Sequence, residues 1–272
     1  VSSQSPTPWS PYCAFVAEFL GALPPVDGFI LKGDSPTSGP RGVRVYPSAG
    51  KSAPVDRGPG FFAREVLARY PDLPVEDELR LAYPRIRDGF LAAVFTLAAY
   101  RGMAGSGDVE ALARFQAENT LYLSACHQQL AREMGRLVAL WAREDPADLF
   151  GRYRRMLADA LARPPRYTAN VNVLQHALGH FRDLVSPEER AHCLELIERC
   201  REGRATLAEP RALLQAWTVR FGEPTLLNQT FFAPYPPALV DLPPDETGRG
   251  RDLWADRGRI PHPQETRRTR SR

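Results

Sequence analysis

The stretch Asn172-Val173-Leu174-Gln175-His176-Ala177-Leu178-Gly179-His180-Phe181 is followed five residues later by Ser186-Pro187-Glu188-Glu189. The first segment reads as an amphipathic helix over 172–184. The second is a helix start: a serine cap, proline at the first helical position and acids in the first turn. Two adjacent helices in the middle of the chain set the reading of what surrounds them. On the first, His176 and His180 stand four residues apart and so share one face. Asn172 lies one turn earlier on that face, and Gln175 borders it.

Outward from this pair, helical apolar spacing continues in both directions. Upstream it predicts helices over 61–69, 86–103 and 109–126, with 129–142 continuing the last, and a proline-led helix over 146–161. Downstream it predicts 187 to about 201, ending near Gly203, then 207–221 and a short helix from Glu223-Pro224 to Phe232. Gly102 to Gly107 reads as the hinge between an earlier and a later unit. The front is different in kind. Residues 12–23 read as a helix stopped by Pro24-Pro25. Gly28-Phe29-Ile30-Leu31-Lys32 and Val43-Arg44-Val45-Tyr46 read as short strands, and 47–60 as a loop. Too few strands are present for a whole sheet. The expected fold is therefore mainly α: a C-terminal bundle of six or seven helices after a small, incomplete α/β segment. The expected boundaries are 1–103, 104–242 and a disordered tail over 243–272.

The net charge of +3 is carried by that tail, where eight arginines face five acids. Residues 1–242 hold 27 basic and 27 acidic side chains, so the body offers no broad field for phosphate backbones. No apolar run approaches the roughly 18 residues of a membrane span, and no secretory pattern opens the chain. The chain begins at Val1, as a processed chain or a fragment would. Cys13, Cys126, Cys193 and Cys200 show no C-x-x-C spacing, and the last two lie about 10 Å apart along one helix. A reduced, cytoplasmic protein without disulfides is expected. No P-loop, dinucleotide fingerprint or nucleophile elbow is present in a suitable context.

Asn172 to Phe181, Arg220-Phe221-Gly222-Glu223-Pro224, Leu227-Asn228-Gln229-Thr230-Phe231 and Pro234-Tyr235-Pro236 together resemble the YbgA-type proteins, domain of unknown function 1722. Gly135-Arg136-Leu137-Val138 adds to the likeness, which spans about 116–239. This chain departs from that pattern at Thr120, where the family has lysine, and at Cys126, Asn170 and Ala216, where it has histidine. Asp27 to Lys32 with Ser35-Pro36-Thr37-Ser38-Gly39 resembles the end of domain of unknown function 523, a family similar to thiouracil desulfidases. There the resemblance implies an iron–sulfur cluster held by three cysteines. Ser38 occupies one of those positions, and the segments with the other two are absent from this chain. No cofactor is therefore expected here, and a partner protein would supply the missing half. The fusion implies that a modified, thiolated pyrimidine or RNA is the ligand.

Within this reading, His176 is the candidate general acid or base, because imidazole titrates near neutrality. Arg136, Asn172, Gln175 and Gln229 are the candidate ligand-binding residues: amides offer donors and acceptors together, and guanidinium clamps an anion. All are expected around one polar pocket. The competing outcome for the amides is bonding between helices, and for Arg136 an ion pair with Glu133. His176 and His180 are also a candidate metal pair, with Cys126, His127 or His192 as third ligand. Arg152-Tyr153-Arg154-Arg155 reads either as a solvated face or as a grip on RNA. Three functions remain open: a modified-pyrimidine or RNA protein, a non-catalytic scaffold and a metal-dependent hydrolase.

Overall fold

A computed structural model describes residues 10–46, 53–141 and 146–240. Residues through Tyr235 form one unit and Pro236 onward a second, of which a single 3-10 turn, Pro237–Leu239, is described. The tail expected to be disordered lies outside the described residues.

The front segment opens with α1 (Ser10–Ala22) and β1 (Phe29–Leu31). Next come β2 (Val43–Val45), β3 (Asp56–Gly58), α2 (Phe61–Arg69), β4 (Val75–Asp77) and the short α3 (Glu78–Leu81). β1 pairs with β4 in parallel, Phe29 opposite Val75 and Leu31 opposite Asp77. β2 and β3 form an antiparallel pair, Val43 opposite Gly58. β3 falls in the expected loop and β4 in a stretch read without structure. β1 and β2 fall within the stretches read as strands, whereas β3 and β4 have no apolar pattern to mark them and exist because a distant partner satisfies their backbone. The turn Ser35–Gly39 sits directly against the start of α2. Gly60 N–H donates to Gly39 O at 2.8 Å and Phe62 N–H to Thr37 O at 2.8 Å. A Cβ on Gly60 would lie 2.4 Å from Thr37 O, so only glycine permits that approach. Val16, Leu20 and Val66 make a small core here, apart from the main one.

The remainder is helical: α4 (Pro84–Ala104), α5 (Val109–Ala139), α6 (Pro146–Leu161), α7 (Tyr167–Gly179), α8 (Pro187–Arg201), α9 (Ala208–Phe221) and α10 (Pro224–Leu227). The fold is mainly α, as its periodicity predicts. α4, assigned from sequence to the front unit, contributes Ala92, Ala93, Leu97 and Tyr100 to the large helical core. Ser186 caps α8 in a full capping box with Glu189, a device that stabilises a helix by about 1 kcal/mol. Gly222 stops α9 in the left-handed conformation at φ 63°, which glycine adopts without penalty.

α5 is not one rod. His127 has extended backbone angles, φ −155° and ψ 91°, and divides it into arms 109–126 and 128–139. The Gln116 side-chain amide reaches the Ala131 carbonyl at 3.5 Å. In an unbroken helix those residues would stand about 22 Å apart. The arms therefore fold back on each other as a helical hairpin. His127 starts the second arm as a cap would, its Nδ1 accepting from the Leu130 N–H at 3.3 Å. The other side of the hairpin is filled by α6, whose Leu149, Tyr153 and Leu157 are all fully buried. Tyr153 thus belongs to the core, and the basic–aromatic cluster read at 152–155 has no exposed ring to stack a base.

Candidate functional site

α7 begins five residues earlier than its expected start and ends before His180. Pro164-Pro165 stop the preceding segment, and Arg166 enters α7 in extended conformation without a side-chain cap. After Gly179 the chain tightens: Phe181 N–H bonds to Leu178 O at 3.1 Å. This turn swings Phe181 into the core, edge-on to Trp217 at 5.7 Å. Val171, Val173, Leu174, Ala177 and Leu178 form the buried face of α7.

The opposite face carries Asn172, Gln175 and His176, all exposed. The His176 and His180 rings meet edge to face with centroids 5.4 Å apart, so the shared-face reading holds across the helix end. His180, half-buried, brings Nδ1 to 3.5 Å from Glu223 Oε1. The same carboxylate oxygen caps α10 by accepting from the Thr225 N–H at 3.3 Å. Among the described residues, Asn172 and Gln175 make no hydrogen bond, and His176 makes none beyond its ring contact with His180. The interhelical bonding weighed for these amides does not occur.

The expected site residues are not brought together by the cavities that lie among the described residues. Arg136 lies exposed on the second arm of α5 without an ion pair among the described residues. Its expected partner Glu133 instead accepts from Gln129 at 2.9 Å. Among the described residues, cavities lie beside β4, beside α10 and at the break in α5. None is lined by Arg136, Asn172, Gln175, His176 or His180.

Gln229 departs furthest from its expected role. It is buried, and its amide is consumed by the fold. Oε1 accepts from Leu121 N–H at 3.1 Å, while Nε2 donates to Ala117 O at 2.7 Å and to Thr225 O at 3.1 Å. Leu121 and Ala117 are partners in the regular i to i−4 ladder, so the Gln229 amide straddles one rung of α5. Thr230 extends the clasp, its N–H donating to Glu118 O at 2.9 Å and its hydroxyl to Asn119 Oδ1 at 2.8 Å. With no N–H left to offer, Gln229 is a structural residue rather than a ligand contact.

The metal reading fails on its donor set. Among the described residues no group of three or more His, Cys, Asp or Glu side chains is disposed to hold a metal ion. His127 spends Nδ1 on its own helix start. Burial pushes the Cys126 thiol up to about 12, outweighing the opposite pull of its hydrogen bond with Tyr122, so no thiolate is at hand near neutral pH. An iron–sulfur cluster does not fit at Ser38 either. Its hydroxyl donates to Ser35 Oγ at 3.1 Å within the turn, and an alcohol is no substitute for thiolate.

Sequence reasoning missed the surroundings of the break in α5. A cavity of about 610 Å³ lies there, between residues 124–129 and the segment that joins α6 to α7. His127, Arg163 and Arg166 line it. The only signal in the sequence is the interruption between 126 and 129.

With the hairpin, the clasp and the α7 face in place, comparison with known proteins adds a family likeness. Residues 121–236 match the family described as protein of unknown function (DUF1722). The match takes in the break at His127, all of α6 to α10, and Gln229 and Thr230, but not the Ala117–Asn119 side of the clasp. The chain is also 26% identical over 156 residues to the uncharacterized protein YbgA of Escherichia coli strain K12, covering 56% of this chain and 91% of that protein. No solved structure matches. No helix among the described residues is long and apolar enough to cross a membrane.

Proposed function

We propose that this chain is a recognition module for a modified, thiolated pyrimidine carried in RNA, read by the open face of α7. One contrast carries the reading. Gln116, Asn119 and Gln229 are spent on holding the fold, whereas Asn172 and Gln175, beside His176, leave their polar groups to solvent. Small-molecule sites are concave and enclose most of their ligand. An open helical face suits a group presented by a larger partner. Amides can pair with an exposed base edge, and an imidazole can stack on it. Among the described residues no carboxylate bonds to His176, which favours binding over proton transfer. The RNA assignment draws on the likeness of the front segment to desulfidases, whose cluster chemistry this chain lacks at Ser38.

Fluorescence anisotropy with a transfer RNA bearing a thiolated pyrimidine, beside its unmodified transcript, tests this. The modified RNA should bind more tightly. Asn172→Ala, Gln175→Ala and His176→Ala together should weaken it about tenfold or more, the order expected for losing two polar contacts. Because these groups are exposed, the melting temperature should stay within a degree or two. Unchanged binding by the triple variant would end the proposal.

One observation favours a protein partner as well. Parallel sheets are normally covered on both faces, yet β1 and β4 stand as a pair and Ile30 is 60% exposed. A polypeptide that adds to the β1–β4 pair and packs on its open face would cover Ile30. Its addition should slow hydrogen exchange at the β1 amides; exchange that stays fast in the mixture would exclude it.

A further inference from the structure

We propose that the cavity at the break in α5 binds a phosphate monoester, independently of what the α7 face recognises. One wall is His127, Gln128 and Gln129 from the start of the second arm of α5; the other is Asp159, Arg163 and Arg166 from the end of α6 and its link to α7. Its volume of about 610 Å³ is that of a site for a small organic ligand. Arg163 and Arg166 both line this space and have no ion pair among the described residues, so neither guanidinium is already bonded to a protein carboxylate there. Two sequence-distant elements converge to place them there, which a solvated helical face would not require.

The backbone adds to this field. The second arm of α5 and α7 both begin at the cavity wall, and each carries a partial positive charge and N–H groups without an intrahelical partner at its start. Of these, among the described residues, only Leu130 N–H is taken up, by His127. α7 has no acid in its first turn and no side-chain cap. The first turn of the second arm reads Gln128-Gln129-Leu130-Ala131, also without an acid. Against these stand the Asp159 carboxylate and the carbonyl ends of α6 and of the first arm of α5. The balance is about one positive charge, which favours an anion. Two arginines offer more N–H donors than a single carboxylate can use, whereas the three terminal oxygens of a phosphate monoester can use them. The rest of the lining suits a polar organic body. The His127 Nδ1 accepts from Leu130 N–H, which leaves Nε2–H as a donor. The Gln128 amide has no partner among the described residues and offers both a donor and an acceptor.

Isothermal titration of the full chain with uridine 5′-monophosphate, inorganic phosphate and uridine tests the assignment. The monophosphate should bind at least tenfold more tightly than either of the others. Arg163→Ala and Arg166→Ala should each weaken it about tenfold or more, with unchanged melting temperature, since both side chains are exposed. Asp159→Asn removes the opposing carboxylate and should tighten binding severalfold, a gain that damage to the fold cannot produce. Absence of binding at millimolar monophosphate would overturn the proposal. So would equal affinity for inorganic phosphate, or indifference to both arginine substitutions.

Discussion

Gln229→Ala is expected to lower the unfolding free energy by about 3 kcal/mol and the melting temperature by roughly 6–12 °C. The substitution removes three hydrogen bonds at once. It leaves the Ala117 and Thr225 carbonyls and the buried Leu121 N–H to find other partners. Some recovery comes from the α5 ladder itself, because Leu121 N–H and Ala117 O can bond directly once the amide is gone. The link between α10 and α5 has no such fallback. Gln229→Met separates the terms: it keeps the side chain's bulk and cannot bond, so it should lose most of what alanine loses. A methionine variant as stable as the wild type would assign the role of Gln229 to packing alone. Differential scanning calorimetry on the three proteins decides between these outcomes.

The clasp also marks where local sequence stops being informative. Gln229 and Asn172 are both amides beside apolar residues, and nothing local separates the one that is consumed from the one that is free. The difference lies in tertiary placement: Gln229 meets a helix more than a hundred residues away in sequence. Features set by local spacing are legible. α2 and α6 run over the same spans that their periodicity marks, and α8 starts at its Ser-Pro-Glu-Glu signal. His176 and His180 do share a face. α7 differs from its expected span at both ends. Its start is set by Pro164-Pro165, a signal present in the sequence, and its end by the burial of Phe181, which local spacing does not show.

The break at His127 falls between these cases. No proline or glycine stands at the reversal, so the sequence shows only an interrupted pattern, where the molecule folds a hairpin. The cavity at that break cannot be inferred without it. Tyr153 is legible, and its place in the core overrides the reading drawn from the charges of Arg152, Arg154 and Arg155. The spacing Leu149, Tyr153, Leu157 puts the ring on the buried face of an amphipathic helix.

That ring carries the second large effect. Tyr153 is fully buried, stacked on Tyr100 at 5.6 Å and edge-on to Phe115 at 6.1 Å. Its hydroxyl donates to Gln116 Oε1 at 2.7 Å, and the Gln116 amide spans the two arms of α5. Tyr153→Ala is expected to cost about 4–5 kcal/mol, the loss for emptying a large aromatic site in a core, with a buried amide left short of a partner. Set against a typical net stability of about 5–15 kcal/mol, this brings the variant close to unfolding at 37 °C. Tyr153→Phe keeps the ring and should cost about 1–2 kcal/mol through the orphaned Gln116 oxygen. Pairing it with Gln116→Leu removes donor and acceptor together, so the double variant should be more stable than the two single losses predict. The coupling from that double-mutant cycle should be about 1 kcal/mol or more. Denaturant unfolding of the four proteins measures it. A coupling of zero would mean that apolar packing alone closes the hairpin, and that the Tyr153–Gln116 bond plays no part in bringing the arms of α5 together.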